Sequence, residues 1–457
     1  REGGVAANSG GGRRVVRQGT SNTMAAKLLT LAGVVVVALA AGKDFEHVKE
    51  LHQVLTKEIQ LGIDLGTTQS VAAVCVQGNV SVVEVDGLKT VPSTVWFSQA
   101  KGIQVGTRAV EARSEDPENV IYAAKRVIGV EHDDASFERQ SSGLPFDFAP
   151  VTEVGPWAGN VGFRLPHGRV VSPEQVGALV LKKLKKAAEI SSALDWFRKK
   201  LGFAFTSLTV SIPVTFGDEQ KRATIRACRM AGFSQVRLIE EPVAAAIAYG
   251  LGEKKENGRV LVFDIGGGTL DVALLHFNAY SNSFYVEHTS GEAKLGGEDF
   301  DVLVADLALA ALQDGKMSAD VRASQSTYQE LLVYSEAAKR QLSVEQTVDI
   351  CIPALDRGDN LPAKSCYTKV AVTRGDFENA ALPAVSQAMA SVKEVLQDAA
   401  LDLSSSFDVV LVGGTSRVPA LRNALSVLLP KATLHFDGVD PDQAVAIGAA
   451  KSWGCNE

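Results

Sequence analysis

Apolar positions along the chain fall into short runs that stop at charged or glycine-rich breaks, and two runs stop in the same way. Leu61-Gly62-Ile63-Asp64-Leu65-Gly66-Thr67-Thr68-Gln69-Ser70 reaches a carboxylate, turns through Gly-Thr and returns as the apolar run Val71 to Val76. Leu261-Val262-Phe263-Asp264-Ile265-Gly266-Gly267-Gly268-Thr269-Leu270-Asp271 repeats the device and returns through Val272 to Leu275. Each pattern predicts a β-hairpin whose tip is mostly backbone. Buried strands are expected at Ser207–Pro213, Val236–Glu240 and Phe407–Val412. Helices are expected at Glu174–Ile190, Asp218–Ala231, Val243–Tyr249, Glu330–Leu342, Gly375–Leu401, Val418–Leu429 and Gln443–Trp453. Gly155–Arg169 reads as loop. Strands alternating with helices predict an α/β class.

The N-terminal pattern differs. Residues 1–23 are rich in Gly, Ser and Arg and read as a disordered or untranslated leader. Residues 24–41 place Lys27 before the apolar run Leu28 to Ala41, the layout of a signal peptide or an uncleaved signal-anchor. Residues 42–60 carry helical spacing and read as a stalk. The remainder divides at a polar turn into residues 61–250 and 251–457, and the length calls for more than one core.

Composition narrows the chemistry. A net charge of −7 gives no electrostatic footprint for nucleic acid. Five scattered cysteines, with no C-x-x-C pair, are neither a zinc site nor a disulfide scaffold. They read as buried free thiols, with a Cys351–Cys366 bridge as the alternative. If the N-terminal run directs secretion, Asn79-Val80-Ser81 is a weak N-glycosylation sequon.

The hairpins carry the strongest signal. Glycines let main-chain N–H groups converge on an anion without Cβ obstruction, and Thr67, Thr68 and Thr269 add hydroxyl donors. Asp64 and Asp264 would repel a phosphate unless a hydrated Mg²⁺ lay between. One such turn is an ordinary tight turn with a solvated Asp; two a domain's length apart suggest paired lobes gripping a polyphosphate. Glu241 stands at a strand end before a helix, where open α/β sheets place ligand groups. Lys125, inside an apolar stretch, reads from its context as a snorkelling surface residue. Glu336, Lys339, Arg340 and Ser343 share one helix face, either a solvated ion pair or a stripe facing a base and ribose. Gly413-Gly414 between strand and helix permits close backbone approach to a flat ligand.

Together with Ala124-Lys125-Arg126-Val127-Ile128-Gly129, Glu241-Pro242-Val243-Ala244-Ala245-Ala246, Leu295-Gly296-Gly297-Glu298-Asp299-Phe300 and Leu411-Val412-Gly413-Gly414, these segments resemble the ATPase domain of the seventy-kilodalton heat-shock chaperones. The likeness runs in order from about Leu61 to Trp453. It implies a two-lobed α/β fold of the actin/hexokinase-like ATPase superfamily, with ATP/ADP and Mg²⁺ as ligands. On this resemblance Gly66, Thr67, Thr68, Gly266, Gly267, Gly268, Thr269, Gly296 and Gly297 surround the phosphates. Asp64 and Asp264 hold Mg²⁺ through water, assisted by Asp271 and Glu241, and Lys125 orients the attacking water. Glu336, Lys339, Arg340, Ser343, Gly413, Gly414, Arg417 and Asp442 line the adenosine.

Gln69 stands where the family usually has Tyr, and Thr415-Ser416 inverts the usual order. The sequence stops after the final helix, so the expectation is an ATPase core with no peptide-binding sandwich and no direct peptide clamp. That layout is similar to a short, microsome-associated branch of the family. It implies work in the endoplasmic reticulum lumen or microsome, with nucleotide-exchange factors or J-domain co-chaperones as partners and membrane contact only through an uncleaved anchor. Two functions stay open: a slow ATPase, or a nucleotide-gated scaffold that binds without useful turnover.

Overall fold

The computed structural model describes residues 59 to 455 apart from 77, 142–143, 154, 156, 192–203, 252–256, 313, 356–365 and 454. The leader, the signal-like run and residues 42–58 of the expected helical stalk lie outside the described residues. The stalk's last two positions, 59 and 60, are corrected to strand, because their backbone pairs with Val76 and Cys75 of the first hairpin. Among the described residues no helix is long and apolar enough to cross a membrane.

The chain builds one arrangement twice. In the first half, β1 (Ile59–Leu65), β2 (Gln69–Val76) and β3 (Asn79–Val82) form an antiparallel meander. Helix α1 (Pro173–Ile190) then leads towards β4 (Ser207–Ile212), which is followed by α2 (Asp218–Met230), β5 (Gln235–Glu240) and α3 (Glu241–Ala248). In the second half, β6 (Gly258–Ile265), β7 (Leu270–Asn278) and β8 (Ser283–Glu292) are the meander. Helices α4 (Gly297–Ala311), α5 (Gln325–Leu342) and α6 (Arg374–Asp398) lead to β9 (Asp408–Val412), α7 (Pro419–Leu428), β10 (Thr433–His435) and α8 (Ala444–Lys451). The sheet orders are β3-β2-β1-β4-β5 and β8-β7-β6-β9-β10, with the last two strands of each parallel to the first.

Each half has its own core, and both faces of the central strands are covered. Val260 to Phe263 of β6 are all buried, which explains a near-continuous apolar run where a half-exposed strand would alternate. Helix α1 begins at a capping box in which Ser172 accepts from the Gln175 amide and the Gln175 side chain accepts from the Ser172 amide.

The halves join where α3 and α8 cross. Ala244, Ala245 and Ala246 of α3 pack on the second sheet against Val262, Ala273 and Val410. Ala446 and Ala450 of α8 pack on the first sheet against Val71, Ala73 and Cys75. Thus each half's last helix reaches across to the other half's sheet. The small residues make this possible: a Cβ on Gly448 would overlap the Ala244 carbonyl, and one on Gly62 would overlap the Ala450 amide.

Two further expectations are corrected. Residues 155–169 are not simply loop, because Val161–Arg164 is the middle strand of a small sheet with Phe148–Pro150 and Val170–Val171. Four of the five cysteines pair as Cys75–Cys455 and Cys351–Cys366, leaving Cys228 buried and free. Folding brings Cys455 back over β2, a closeness that spacing along the chain does not reveal.

Candidate functional site

A cavity of about 1220 Å³ lies between the halves, lined from both sides by the hairpin tips. The tips are shaped by their strands. In the first, Asp64 pairs in register with Val71; in the second, Asp264 lies directly across from Asp271. Like charges at opposed strand positions are unfavourable, so this pair needs compensation.

Among the described residues, the cation that compensates them is Lys125. Lys125 sits in the turn Ala124–Val127, is largely buried, and donates from Nζ to Glu241 Oε1 at 2.6 Å. The surface-snorkelling reading of Lys125 is therefore corrected: its apolar neighbours bury the turn and aim the ammonium inward. Burial alone would pull the ammonium's pKa down, but the Glu241, Asp64 and Asp271 carboxylates outweigh this and hold it above the ordinary lysine value.

The carboxylates show the opposite strain. Burial, then Glu241, pushes Asp64 up to about 6, although Lys125 and a 2.7 Å hydrogen bond from Ser211 Oγ pull it back. Asp271 is likewise pushed up to about 6 by burial and Glu241. Asp264 is raised well above the usual carboxylate range by burial and by Glu241, Asp271 and Asp64. Four carboxylates thus face one ammonium, an excess of negative charge that a divalent cation would neutralise. Among the described residues no three acidic, His or Cys side chains are close enough to ligate a metal directly. A cation here would reach Asp64, Asp264 and Asp271 through water, which suits Mg²⁺.

The second hairpin is held by its neighbours. The Gly297 amide donates to Gly266 O at 2.9 Å, the Glu298 amide donates to Gly267 O at 2.7 Å, and Thr415 Oγ1 donates to Gly266 O at 2.8 Å. Gly296 packs on the back of Gly268, with no room for a Cβ, and its own amide donates to Asp299. Gly296 and Gly297, expected at the phosphates, therefore buttress the hairpin; Gly297 lines the cavity and Gly296 does not. The Gly297 and Glu298 amides and the Thr415 hydroxyl occupy the Gly266 and Gly267 carbonyls, and Gly266–Gly268 line the cavity.

At the other end, Gly413 has φ +78° and is tucked against the Ile265 carbonyl, a place closed to any side chain. Gly414 approaches the Asp442 carboxylate, and Arg417 pairs with Asp440 at 2.5 Å and Asp442 at 3.2 Å. Glu336 and Arg340 line the cavity as an i,i+4 ion pair. Lys339 is already engaged, with Nζ 2.8 Å from both Asp301 Oδ1 and Gly297 O. Ser343 caps the end of α5, bonds back to Lys339 O and lies outside the cavity lining. The stripe is thus divided: Glu336, Lys339 and Arg340 line the cavity and Ser343 does not, and Lys339 is held by Asp301 and Gly297.

The residues not singled out from sequence include Ser211, Arg126 and Glu298. Ser211 is the next-to-last residue of an apolar strand and reaches Asp64, and its polar side chain in SLTVSIP is the available signal. Gln69 lines the cavity, with Oε1 buried and unpaired. The inverted Thr415-Ser416 is accommodated, since Ser416 Oγ also finds an acceptor in Gly413 O at 2.7 Å.

Duplicated 3-2-1-4-5 sheets, crossing helices and a cleft with one glycine-tipped hairpin on each side define a two-lobed ATPase fold of the actin/hexokinase type. The model of the family described as Hsp70 protein matches residues 60–455, and the chain belongs to that family. It is similar to a curated relative from Pisum sativum, "Heat shock 70 kDa protein, mitochondrial", at 34% identity over 395 residues. The match covers 86% of this chain and 55% of the relative, so the chain spans about half the length of that protein.

Proposed function

We propose that this chain is a slow ATPase core of the chaperone type, hydrolysing ATP to ADP and phosphate with Mg²⁺. The observation that carries this reading is the cluster of Asp64, Asp264, Asp271 and Glu241 around Lys125 between the two hairpins. Bound Mg²⁺ would neutralise the phosphates and the facing carboxylates. The backbone of Gly266–Gly268, with the hydroxyls of Thr67, Thr68 and Thr269, holds the phosphate oxygens. Lys125, fixed by Glu241, orients the attacking water in line with the terminal phosphate. Catalysis is then positioning and charge stabilisation rather than covalent chemistry. Gly413, Gly414, Arg417, Asp442, Glu336 and Arg340 take the nucleoside.

Single-turnover hydrolysis by wild type and Lys125→Ala tests this. A loss of about a hundredfold or more, the usual weight of a positioned catalytic group, is expected. Equal rates would favour the scaffold reading, in which nucleotide gates the lobes without useful turnover.

The proposed setting is the lumen of the endoplasmic reticulum or the microsome, in protein folding or quality control, with J-domain proteins and nucleotide-exchange factors as partners. Support comes from the apolar run after Lys27 and from two cysteine pairs within bonding geometry, which suit an oxidising compartment. Mass spectrometry of the mature N-terminus and glycan status at Asn79, with fractionation of microsomes, tests it; recovery of the chain outside the microsomal fraction with Asn79 unmodified would count against this setting.

A further inference from the structure

We propose that Arg126, Thr68 and Glu298 form a latch across the cleft that distinguishes a nucleoside triphosphate from a diphosphate. This rests on the nucleotide reading above and adds a group of residues to it. Thr68 and Arg126 belong to the first half, and Glu298 is the second residue of α4 in the other. Thr68 Oγ1 donates to Glu298 Oε1 at 3.4 Å, and Arg126 Nη2 reaches Glu298 Oε2 at 3.4 Å. Both contacts sit at the long end of hydrogen bonding, so a closer anionic acceptor would displace the carboxylate.

The donors also cover the second hairpin. A Cβ on Gly268 would overlap Arg126 Nη2, and one on Gly267 would overlap Thr68 Oγ1. Arg126 Nε–H is buried with no acceptor, a costly omission for a guanidinium. Arg126 therefore lies over the phosphate hairpin with hydrogen-bonding capacity unused, one residue after the lysine assigned to the terminal phosphate's attacking water.

The partners differ in freedom. The Arg126 side chain is 17% exposed, whereas that of Glu298 is 46% exposed. When phosphate oxygens arrive at the tips, Glu298 swings into solvent while the arginine stays. The added phosphoryl group of a triphosphate brings the charge that repels Glu298 and takes over Thr68 and Arg126. A diphosphate leaves the latch closed.

Calorimetry with Mg²⁺ and either ADP or a non-hydrolysable ATP analogue tests this on the full chain. Glu298→Gln should tighten analogue binding about fivefold, and Arg126→Gln should weaken it about tenfold, the scale of one charge-assisted hydrogen bond. Arg126→Lys, which keeps the charge without the fork, should fall between Arg126→Gln and wild type, and ADP affinity should stay within about twofold throughout. A contact that merely holds the lobes together would move Glu298→Gln and Arg126→Gln in the same direction, and that result overturns the latch. So does an equal effect on ADP. Failure of wild type to bind ADP at all would instead sink the nucleotide reading, and the latch with it.

Discussion

Asp271→Asn separates stability from binding at the second hairpin. Asp271 is buried opposite Asp264, and its carboxyl is pushed up to about 6 from 3.8. A displacement of that size corresponds to about 3 kcal/mol of unfavourable interaction in the ionised, nucleotide-free protein. The folded-state value is raised, so this cost is absent below the unfolded value, near 3.8, and is fully present once pH rises past about 6. An isosteric amide removes the charge while keeping the shape and the contact with Thr269. The variant should therefore unfold at higher urea than wild type at pH 7.5, by up to about 3 kcal/mol, with the gain gone near pH 4. The same variant should bind Mg²⁺·ADP about tenfold more weakly, since a carboxylate facing the hydrated cation is lost. Urea unfolding without nucleotide at both pH values, alongside calorimetry, reads both effects. A variant that is less stable than wild type at pH 7.5 and binds nucleotide unchanged would refute the assignment of Asp271 to a charge cluster awaiting a cation.

Other outcomes follow from the same geometry. Affinity for Mg²⁺·ADP should fall as pH drops from 7 to 5, because Asp64 and Asp271 take up protons near pH 6 and the cation must displace them; a flat calorimetric profile would contradict this. Gly413→Ala puts a side chain at φ +78° against the Ile265 carbonyl and should abolish nucleotide binding or soluble folding, read by calorimetry and circular dichroism. Gly448→Val should separate α8 from α3 and lower the unfolding midpoint by several degrees in a thermal scan, since no Cβ fits beside the Ala244 carbonyl.

Local pattern carried much of this structure. The hairpins at Asp64 and Asp264 were legible because a strand, a carboxylate and a glycine turn are contiguous in sequence, and their repetition implied two lobes. The fate of Lys125 was not legible from its neighbours, because its partner Glu241 is 116 residues away and nothing local distinguishes a snorkelling lysine from a buried one. The family resemblance, not the periodicity, supplied its inward direction. Lys339 shows the converse: helical spacing put it correctly on one face with Glu336 and Arg340, but its engagement by Asp301 depends on how α5 meets α4. Cys75 and Cys455 are 380 residues apart and meet only because α8 returns to the first sheet. Short strands such as Val161–Arg164, with a glycine inside, are not legible because four residues are too brief a period to separate from loop.

The most direct measurement is a calorimetric titration of the purified chain with ADP, in Mg²⁺ and again in excess chelator. Saturable heat at one site per chain, strongly weakened by removing the cation, is expected if Asp64, Asp264 and Asp271 hold a hydrated Mg²⁺ that offsets their charge and that of the phosphates. Absence of heat in both buffers, or binding indifferent to Mg²⁺, would contradict the central claim.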